Sequence, residues 1–306
     1  MLVHLSRRVP PCESNEALTE QRARIFDDGE EQPVSHFSSE RVPVSLGIAL
    51  DSSGSMTADK MAAARSAIDR FIYDLLGPDD ELFFAQFATR PDILQEWTTD
   101  RRRISRAVAI VSPAGGTAMY DAIADTLPLA QSGKNQKKAL LVISDGNDTN
   151  SHTTVQELRG MIRESEVLVY ALGVDGAGET VRSQPRMRTP FPIPFPIPGR
   201  RGQPRMPPPI IGGGNGGNGS WTRSVGEGIN ADALRQITDD TGGRTEVVRS
   251  FRDLDAATAR IADELSKQYY LGYASPGKND GRFHAIRVEV RDRRLNVRAR
   301  RGYVAS

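Results

Sequence analysis

The feature that most constrains the fold is a pair of apolar segments that each end in an aspartate, at residues 42–51 (VPVSLGIALD) and 138–145 (KALLVISD). Short runs of Val, Leu and Ile between polar residues are typical of strands buried on both faces of a sheet. A third such strand is predicted over residues 167–174 (VLVYALGV). Apolar residues at helical spacing predict helices between these strands, over residues 58–76, 118–130 and 154–166. Helices that alternate with buried strands indicate an α/β fold with a doubly wound, mostly parallel sheet.

A Pro/Gly-rich stretch interrupts this pattern at about residues 176–228. It contains PFPIPFPIP at residues 190–198 and GGGNGGNG at residues 212–219. Alternating prolines favour an extended chain, and the Gly/Asn run cannot bury enough apolar surface to fold alone. We therefore expect a disordered insertion, with a docking site for a proline-binding groove as the alternative.

The tail of the chain changes to the alternation of apolar and polar residues that is typical of β strands. Apolar and charged side chains alternate in residues 283–292 (FHAIRVEVRD), and residues 269–273 (YYLGY) and 294–304 (RLNVRARRGYV) are also predicted strands. We predict a small antiparallel β unit attached to the α/β domain.

The same tail is rich in arginine. From Arg282 to Arg301 there are eight arginines against two acids, Glu289 and Asp292. A basic stripe can bind phosphate or nucleic acid, but alternation places many of these arginines on the solvent face of strands, where charge protects an edge. We interpret the stripe as solvated strand faces, with an acidic partner surface or nucleic acid as alternatives. The whole chain is nearly neutral, with 40 Lys and Arg against 39 Asp and Glu, so a nucleic-acid partner is not predicted.

Several other classes of protein are not supported by the composition. The single cysteine, Cys12, excludes an intrachain disulfide, and the four histidines are too scattered along the sequence to suggest a zinc site. No run of about 18 apolar residues is present, so no membrane span is predicted. The first residues lack the apolar core of a secretory signal.

Oxygen-bearing side chains follow the predicted strands at one edge of the sheet. Asp51, Ser53 and Ser55 lie in the turn after the first strand, Asp145 ends the second, and Thr117 precedes a helix. The carboxyl ends of parallel strands meet at the same edge, where ligands bind. Carboxylates and hydroxyls without nitrogen or sulfur suit a hard cation, and few charges with room for water suit Mg²⁺ or Mn²⁺. We predict a metal site of five oxygen ligands, with the side chains in solvent-facing loops.

Each of these residues also has an ordinary structural interpretation. Ser55 or Thr117 could cap a helix, and Asp145-Gly146 is a common turn. A Mg²⁺-dependent phosphoryl-transfer enzyme or hydrolase is a functional alternative, because two aspartates at strand ends with a divalent ion also describe such sites. Such an enzyme needs an activated nucleophile and a cation for the phosphoryl group. The chain has no P-loop motif and no histidine adjoining either motif, and no Lys or Arg follows the last predicted parallel strand before Arg182. We therefore predict that the protein is not an enzyme.

At these residues the sequence resembles the von Willebrand factor type A domain, whose metal-ion-dependent adhesion site combines D-x-S-x-S with a separate Thr and a separate Asp. The five positions are matched here by Asp51, Ser53, Ser55, Thr117 and Asp145. The resemblance implies a Rossmann-like sheet with the metal at its top. It also implies a protein partner that presents an Asp or Glu to complete the coordination of the metal.

A narrower resemblance, to the bacterial VWFA-related domain proteins, covers nearly the whole chain outside the Pro/Gly-rich stretch. It rests on the Asp28-Gly29 hairpin signal within residues 25–37 and on the predicted strands of the tail. It implies an N-terminal β hairpin segment over residues 1–40, a von Willebrand factor type A domain over residues 41–268 and a C-terminal β extension over residues 269–306.

The two end segments should pack together as one β unit, since each has too few strands to be stable alone. Members of the narrower family usually carry a signal peptide and a further strand ahead of the hairpin, and the first seventeen residues resemble neither. We expect an extracytoplasmic location from the resemblance, with a cytoplasmic subunit that works beside an ATPase as the alternative.

Overall fold

The computed structural model describes residues 2–7, 23–174, 230–274, 280–291 and 295–305, which all fall within one compact unit of the chain. The insertion predicted at residues 176–228 lies outside the described residues. The strands are β1 (Leu2–Arg7), β2 (Ala23–Asp27), β3 (Glu30–Gln32), β4 (Val34–Ser38), β5 (Val44–Asp51), β6 (Glu81–Phe87), β7 (Pro91–Thr98), β8 (Lys137–Ser144), β9 (Leu168–Val174), β10 (Thr245–Val248), β11 (Tyr269–Tyr273), β12 (Phe283–Val290), β13 (Leu295–Ala299) and β14 (Gly302–Val304). The helices are α1 (Ala58–Arg70), α2 (Arg101–Ala109), α3 (Met119–Gln131), α4 (Val155–Glu164), α5 (Ala231–Thr241) and α6 (Leu254–Ser266).

The central sheet has six strands in the order β10-β9-β8-β5-β6-β7. Its neighbouring strands are parallel, except that β7 runs antiparallel to β6. This confirms the predicted α/β fold with a mostly parallel sheet. The two strands that end in the site aspartates, β5 and β8, are direct neighbours in the middle of the sheet.

Helices cover both faces of this sheet because the side chains of each strand alternate between two apolar clusters. In β5, Leu46, Ile48 and Leu50 belong to the cluster under α1, α2 and α6, whereas Ala49 belongs to the cluster under α3, α4 and α5. Gly47 must stay small, since a Cβ there would lie 2.2 Å from the ring of Phe83. Among the described residues, no helix is long and apolar enough to cross a membrane.

Two helical segments differ from the prediction. The helix predicted over residues 58–76 is α-helical only as far as Arg70 and continues as a π-helical turn at Phe71–Leu75. Helix α2 was not predicted, because its basic sequence RRRISRAVA hides a short apolar stripe that begins at Ile104. Both segments lie on the same face of the central sheet.

Strands from both ends of the chain interleave in two further sheets, with the orders β13-β1-β11-β4 and β14-β12-β2-β3. All their pairings are antiparallel. Ile25 of β2, Leu271 of β11 and Val288 of β12 form a small buried cluster shared by the two sheets. The predicted β unit from the N- and C-terminal segments is therefore confirmed. Strand β1 is an addition, because no strand was predicted in the first seventeen residues.

Some arginines of the tail pack against the helices of the central sheet. Arg298 forms an ion pair with Glu264 of α6, whose side chain is 2% exposed. Arg300 donates a hydrogen bond to the backbone carbonyl of Arg163 in α4. The interpretation of the whole stripe as solvated strand faces is wrong for these two arginines, because β13 and the turn that follows it direct them towards the helices. They join the β unit to the central sheet instead.

Removing residues 1–40 should make the C-terminal strands sensitive to protease. The deletion takes away β1, β2 and β4, which supply pairing partners to β11, β12 and β13. Unpaired strand edges open readily and expose their backbone. Limited trypsin digestion followed by mass spectrometry should show cleavage in residues 282–301 much earlier than in the full chain, with cleavage in the central sheet as the internal control. Equal rates in the two proteins would contradict the pairing.

Candidate metal centre

The candidate site lies where β5 and β8 end side by side. Leu50 of β5 is in register with Ile143 of β8, so that Asp51 and Ser144 are the next residues along the two strands. Ser144 Oγ donates to Asp51 Oδ2 at 2.5 Å, and the backbone N–H of Ser53 donates to Asp51 Oδ1 at 2.7 Å. The carboxylate of Asp51 is therefore held on one side by the loop that follows β5 and on the other side by the neighbouring strand β8.

The two serines link Asp51 to the second aspartate. The hydroxyls of Ser53 and Ser55 are 2.9 Å apart, and Ser55 Oγ donates to Asp145 Oδ1 at 2.7 Å. Thr117 reaches the same place, since a Cβ built on Gly146 would lie 3.6 Å from Thr117 Oγ1 and 3.8 Å from Ser55 Oγ. The structure thus brings all five predicted ligand residues together. Metal binding by them stays a prediction.

Backbone contacts lock the loop that carries Thr117 onto the loop after β5. The N–H of Gly54 donates to Gly115 O at 2.9 Å, and the N–H of Ala114 donates to Ser52 O at 2.8 Å. Gly115 has a φ of +80°, a conformation in which a residue with a side chain would be strained. The glycines that the sequence places before Thr117 therefore allow two loops to touch along their backbones.

The expectation that these side chains sit in solvent-facing loops is wrong for four of the five. Asp51 is fully buried, and Ser53, Thr117 and Asp145 are at most 5% exposed. Only Ser55 is exposed. These four candidate ligands are buried where the loops meet. Replacing them will therefore affect packing as well as any bound ion.

The helix-capping interpretation does not describe Thr117. The first N–H groups of α3 are capped by Asp148, whose Oδ1 accepts from Met119 N at 2.7 Å and from Tyr120 N at 3.2 Å. The residue before α3, Ala118, makes no side-chain cap. The hydroxyl of Thr117 is therefore not used to start the helix.

Burial disfavours the charged form of the Asp51 carboxylate. Desolvation raises the pKa of Asp51 to about 6, an effect that the hydrogen bonds from Ser144 and Ser53 oppose and that the nearby charge of Asp145 increases. A divalent cation would remove this cost, because it replaces the lost hydration of both carboxylates with direct coordination.

Lys60 contacts this group of side chains, and the sequence analysis did not identify it. Its ammonium lies 2.7 Å from Asp145 Oδ2, and its side chain is 22% exposed whereas that of Asp145 is fully buried. It also lies 5.5 Å from the centre of the Phe251 ring. The sequence feature that could have identified Lys60 is its position in the first turn of the helix that follows D-x-S-x-S. The ammonium of Lys60 thus compensates part of the negative charge of the candidate ligands.

Comparisons with known proteins agree with this fold. Residues 46–147 match the family model of the von Willebrand factor type A domain. A solved structure described as von Willebrand factor type A from Catenulispora acidiphila is similar, with 16% identity and a TM-score of 0.51, over 93% of this chain and 59% of that one. Proximal thread matrix protein 1 from the mussel byssus, solved with a zinc-occupied MIDAS motif, is similar with 13% identity and a TM-score of 0.53, over 78% of this chain and 50% of that one.

The chain thus spans less than two thirds of both solved proteins. At these identities the likeness establishes the fold and not the activity. No curated protein sequence matches the chain significantly.

Proposed function

The chain contains a von Willebrand factor type A domain, and on this premise we propose that it is a divalent-metal-dependent protein-binding module that recognises an acidic residue of a partner. The proposed ligands of the metal are Asp51, Ser53, Ser55, Thr117 and Asp145. The observation that carries the proposal is the chain of contacts from Asp51 through Ser53 and Ser55 to Asp145, with Thr117 beside it.

The chemistry of the ligands indicates how a partner would be held. Two carboxylates and three neutral hydroxyls leave a divalent ion electrophilic, so an anionic oxygen is favoured over water at an open coordination position. A carboxylate from a partner Asp or Glu supplies that oxygen in a charge-assisted contact. Oxygen ligands alone suit Mg²⁺ or Mn²⁺. Since the contact depends mainly on one carboxylate, the surface around the metal must provide specificity.

One observation supports phosphoryl transfer as the alternative function, and another argues against it. Lys60 supplies a positive charge near the aspartates. Among the described residues, however, no histidine or cysteine forms a hydrogen bond with any of the five proposed ligands, and the side chain of His152 is 98% exposed and contacts Asp121. The described residues therefore place no histidine base or cysteine nucleophile at the site, and we retain the binding function.

The experiment that tests the proposal is a pulldown of binding partners with and without EDTA, repeated with Thr117→Ala. Thr117→Ala removes a neutral ligand without changing the charge. We expect it to weaken partner binding more than metal binding, as the resemblance implies a threonine that contacts the ion mainly in the partner-bound state. Metal affinity is measured by calorimetry on the same protein. Partner binding that survives both EDTA and Thr117→Ala would show that recognition uses another surface.

Replacing Lys60 with methionine should strengthen metal binding by about tenfold. In the metal-free site the ammonium of Lys60 occupies one oxygen of Asp145, and a divalent ion must compete with this buried contact. A tenfold change corresponds to about 1.4 kcal/mol, which is the size expected for an ion pair with one fully buried partner.

The matched control is Lys134→Met, which removes an exposed lysine that contacts Glu81 at the start of β6. Calorimetric titration with Mg²⁺ and Mn²⁺ measures both variants. An unchanged or weaker affinity in Lys60→Met would mean that the lysine supports the bound metal and does not compete with it.

A further inference from the structure

A second group of possible metal ligands lies in the β unit. One ligand atom each from Asp27, Asp28 and His284 lie within 4.8 Å of one another. Asp27 and Asp28 end β2 and begin the turn to β3, and His284 lies at the start of β12. Because His284 is remote from the two aspartates in the sequence, the spacing of the histidines gave no indication of this cluster.

Short contacts fix the relative positions of His284 and two carboxylates. His284 Nδ1 is 2.7 Å from Asp28 Oδ2, and His284 Nε2 is 3.0 Å from Asp280 Oδ1. Asp28 is held in turn by Ala285, whose N–H donates to Asp28 Oδ1 at 2.9 Å. Ligands bound to one tetrahedral ion at about 2.0–2.1 Å are themselves about 3.3 Å apart. His284 Nδ1 and Asp28 Oδ2 are joined by a hydrogen bond and need only a small separation to become two ligands of one ion.

Asp27 provides a second, independent observation. Its side chain belongs to a residue that is 3% exposed. Tyr273 and Tyr303 donate their hydroxyls to Asp27 Oδ2 at 2.8 and 3.0 Å, whereas Asp27 Oδ1 is buried and has no hydrogen-bond partner. A buried carboxylate oxygen without a donor is costly and uncommon in folded proteins. The same carboxylate has an oxygen within 4.8 Å of ligand atoms of Asp28 and His284, so a cation held by the three residues would lie next to it.

The charges of the cluster also favour a bound cation. Three carboxylates, those of Asp27, Asp28 and Asp280, lie around one imidazole, so acidic groups outnumber the imidazole in this cluster. A divalent ion would balance this charge. In metal sites a ligating histidine commonly binds a carboxylate through its other nitrogen, and Asp280 occupies that position when Nδ1 faces the ion.

We propose that Asp27, Asp28 and His284 form a second divalent-cation site that takes Zn²⁺, with Asp280 as the positioning residue for His284. One imidazole nitrogen with carboxylate oxygens suits first-row transition metals better than Mg²⁺. Three protein ligands leave a fourth position for water. The site is separate from the one at the end of β5 and does not depend on the binding function proposed above. Bound metal would fasten the turn between β2 and β3 to β12.

The structural alternative is that His284 only ties the two segments together. Asp280 and Asp28 raise the pKa of His284, so a protonated ring could link them without a metal. That alternative explains the contacts of Asp28 and Asp280 but leaves the buried Oδ1 of Asp27 unexplained. The two interpretations differ in whether Zn²⁺ binds.

The test is calorimetric titration of Zn²⁺ into a protein that carries Asp51→Asn and Cys12→Ser, which remove the first site and the only thiol. We expect one Zn²⁺ to bind. Adding His284→Gln or Asp27→Asn should weaken binding by at least about tenfold, and Asp280→Asn should weaken it by about ten- to a hundredfold. His36→Gln, in β4 of the same unit, is the matched control and should have no effect. Circular dichroism verifies that each variant is folded.

Asp27→Asn keeps an oxygen for the two tyrosines, so it remains informative if His284→Gln does not fold. The proposal is overturned if the background protein binds no Zn²⁺, or if binding is the same in the folded variants and in His36→Gln. Titration with Mg²⁺ in the background protein should show no binding at this site. Loss of Mg²⁺ binding from Asp51→Asn with Zn²⁺ binding retained would support both sites separately.

Discussion

Replacing Asp51 with asparagine should abolish Mg²⁺ binding and, at the same time, stabilise the metal-free protein by about 2–3 kcal/mol at pH 7. The buried carboxylate has its pKa raised from 3.8 to about 6 by desolvation, so above pH 6 its charge opposes folding. Asparagine is neutral and of the same shape. Its oxygen can accept from Ser53 N, and its amide can donate to Ser144 Oγ, which replaces both observed contacts.

The stability gain of Asp51→Asn should depend on pH, in a direction set by the raised pKa of Asp51. Because the folded-state pKa of Asp51 is above the unfolded value, the contribution of this group is most favourable below about pH 4 and is lost as the pH rises to about 6. The stability gain of Asp51→Asn should therefore be small at pH 4 and complete at pH 7. With saturating Mg²⁺ the order should reverse, since metal stabilises only the wild-type protein.

Urea unfolding at pH 4 and pH 7, with and without Mg²⁺, measures these differences, and calorimetry measures metal binding. Ser52→Ala is a control in the same loop, because Ser52 is also buried but bonds the backbone of Phe87 and not the aspartates. A variant that is less stable than the wild type at pH 7 without metal would contradict the desolvation argument. Retained Mg²⁺ affinity in Asp51→Asn would contradict the assignment of the ligand.

Replacing Arg298 with methionine should destabilise the protein by about 3 kcal/mol at pH 7. Arg298 pairs with Glu264, whose carboxylate is 2% exposed and also accepts a hydrogen bond from the Tyr170 hydroxyl at 3.2 Å. Arg244 stays in place after the substitution, but at 3.9 Å it is farther from this carboxylate than Arg298. Removing one member of a buried ion pair leaves the desolvated charge of the other poorly compensated, which costs more than the pair contributed.

The effect should diminish in acid, because desolvation already raises the pKa of Glu264 while Arg298 lowers it. Without Arg298 this pKa rises further, and protonation then removes the uncompensated charge. Urea unfolding at pH 7 and pH 4.5 measures the difference. Arg287→Met is the control: Arg287 is an exposed arginine of the same β unit that pairs with exposed Glu289, and its removal should cost at most about 0.5 kcal/mol. Equal losses in the two variants would contradict the role of the buried pair.

The sequence was sufficient to bring together site residues that are close in the chain or that lie at the ends of predicted strands. The aspartates of β5 and β8 end apolar runs that are typical of buried parallel strands, so their meeting at one edge of the sheet could be inferred. Lys60 could not be placed in the same way, since its contact with Asp145 depends on the direction in which α1 leaves the loop and on its rotation about its axis. The depth of the ligands also depends on how the loops pack, which residue types alone do not reveal.

The β unit shows the same limit more strongly. Alternation predicted its C-terminal strands, and the hairpin signal at Asp28-Gly29 predicted a turn. The pairing of β2 with β12 brings Asp28 against His284, yet nothing local to either residue indicates the other. The buried position of Arg298 has the same cause, because an alternating strand shows which residues share a face and not which face meets the rest of the protein.

The interleaved β unit also determines the order in which the molecule can be assembled. Strands β1, β2 and β4 leave the ribosome before the central sheet, but their partners β11, β12 and β13 are made only after the whole of that sheet, whose last strand ends at Val248. Closing so long a loop is entropically costly and slow, so the early strands wait with open edges while the central sheet folds. Until β12 arrives, they are the part of the nascent chain that is most exposed to aggregation and to chaperones.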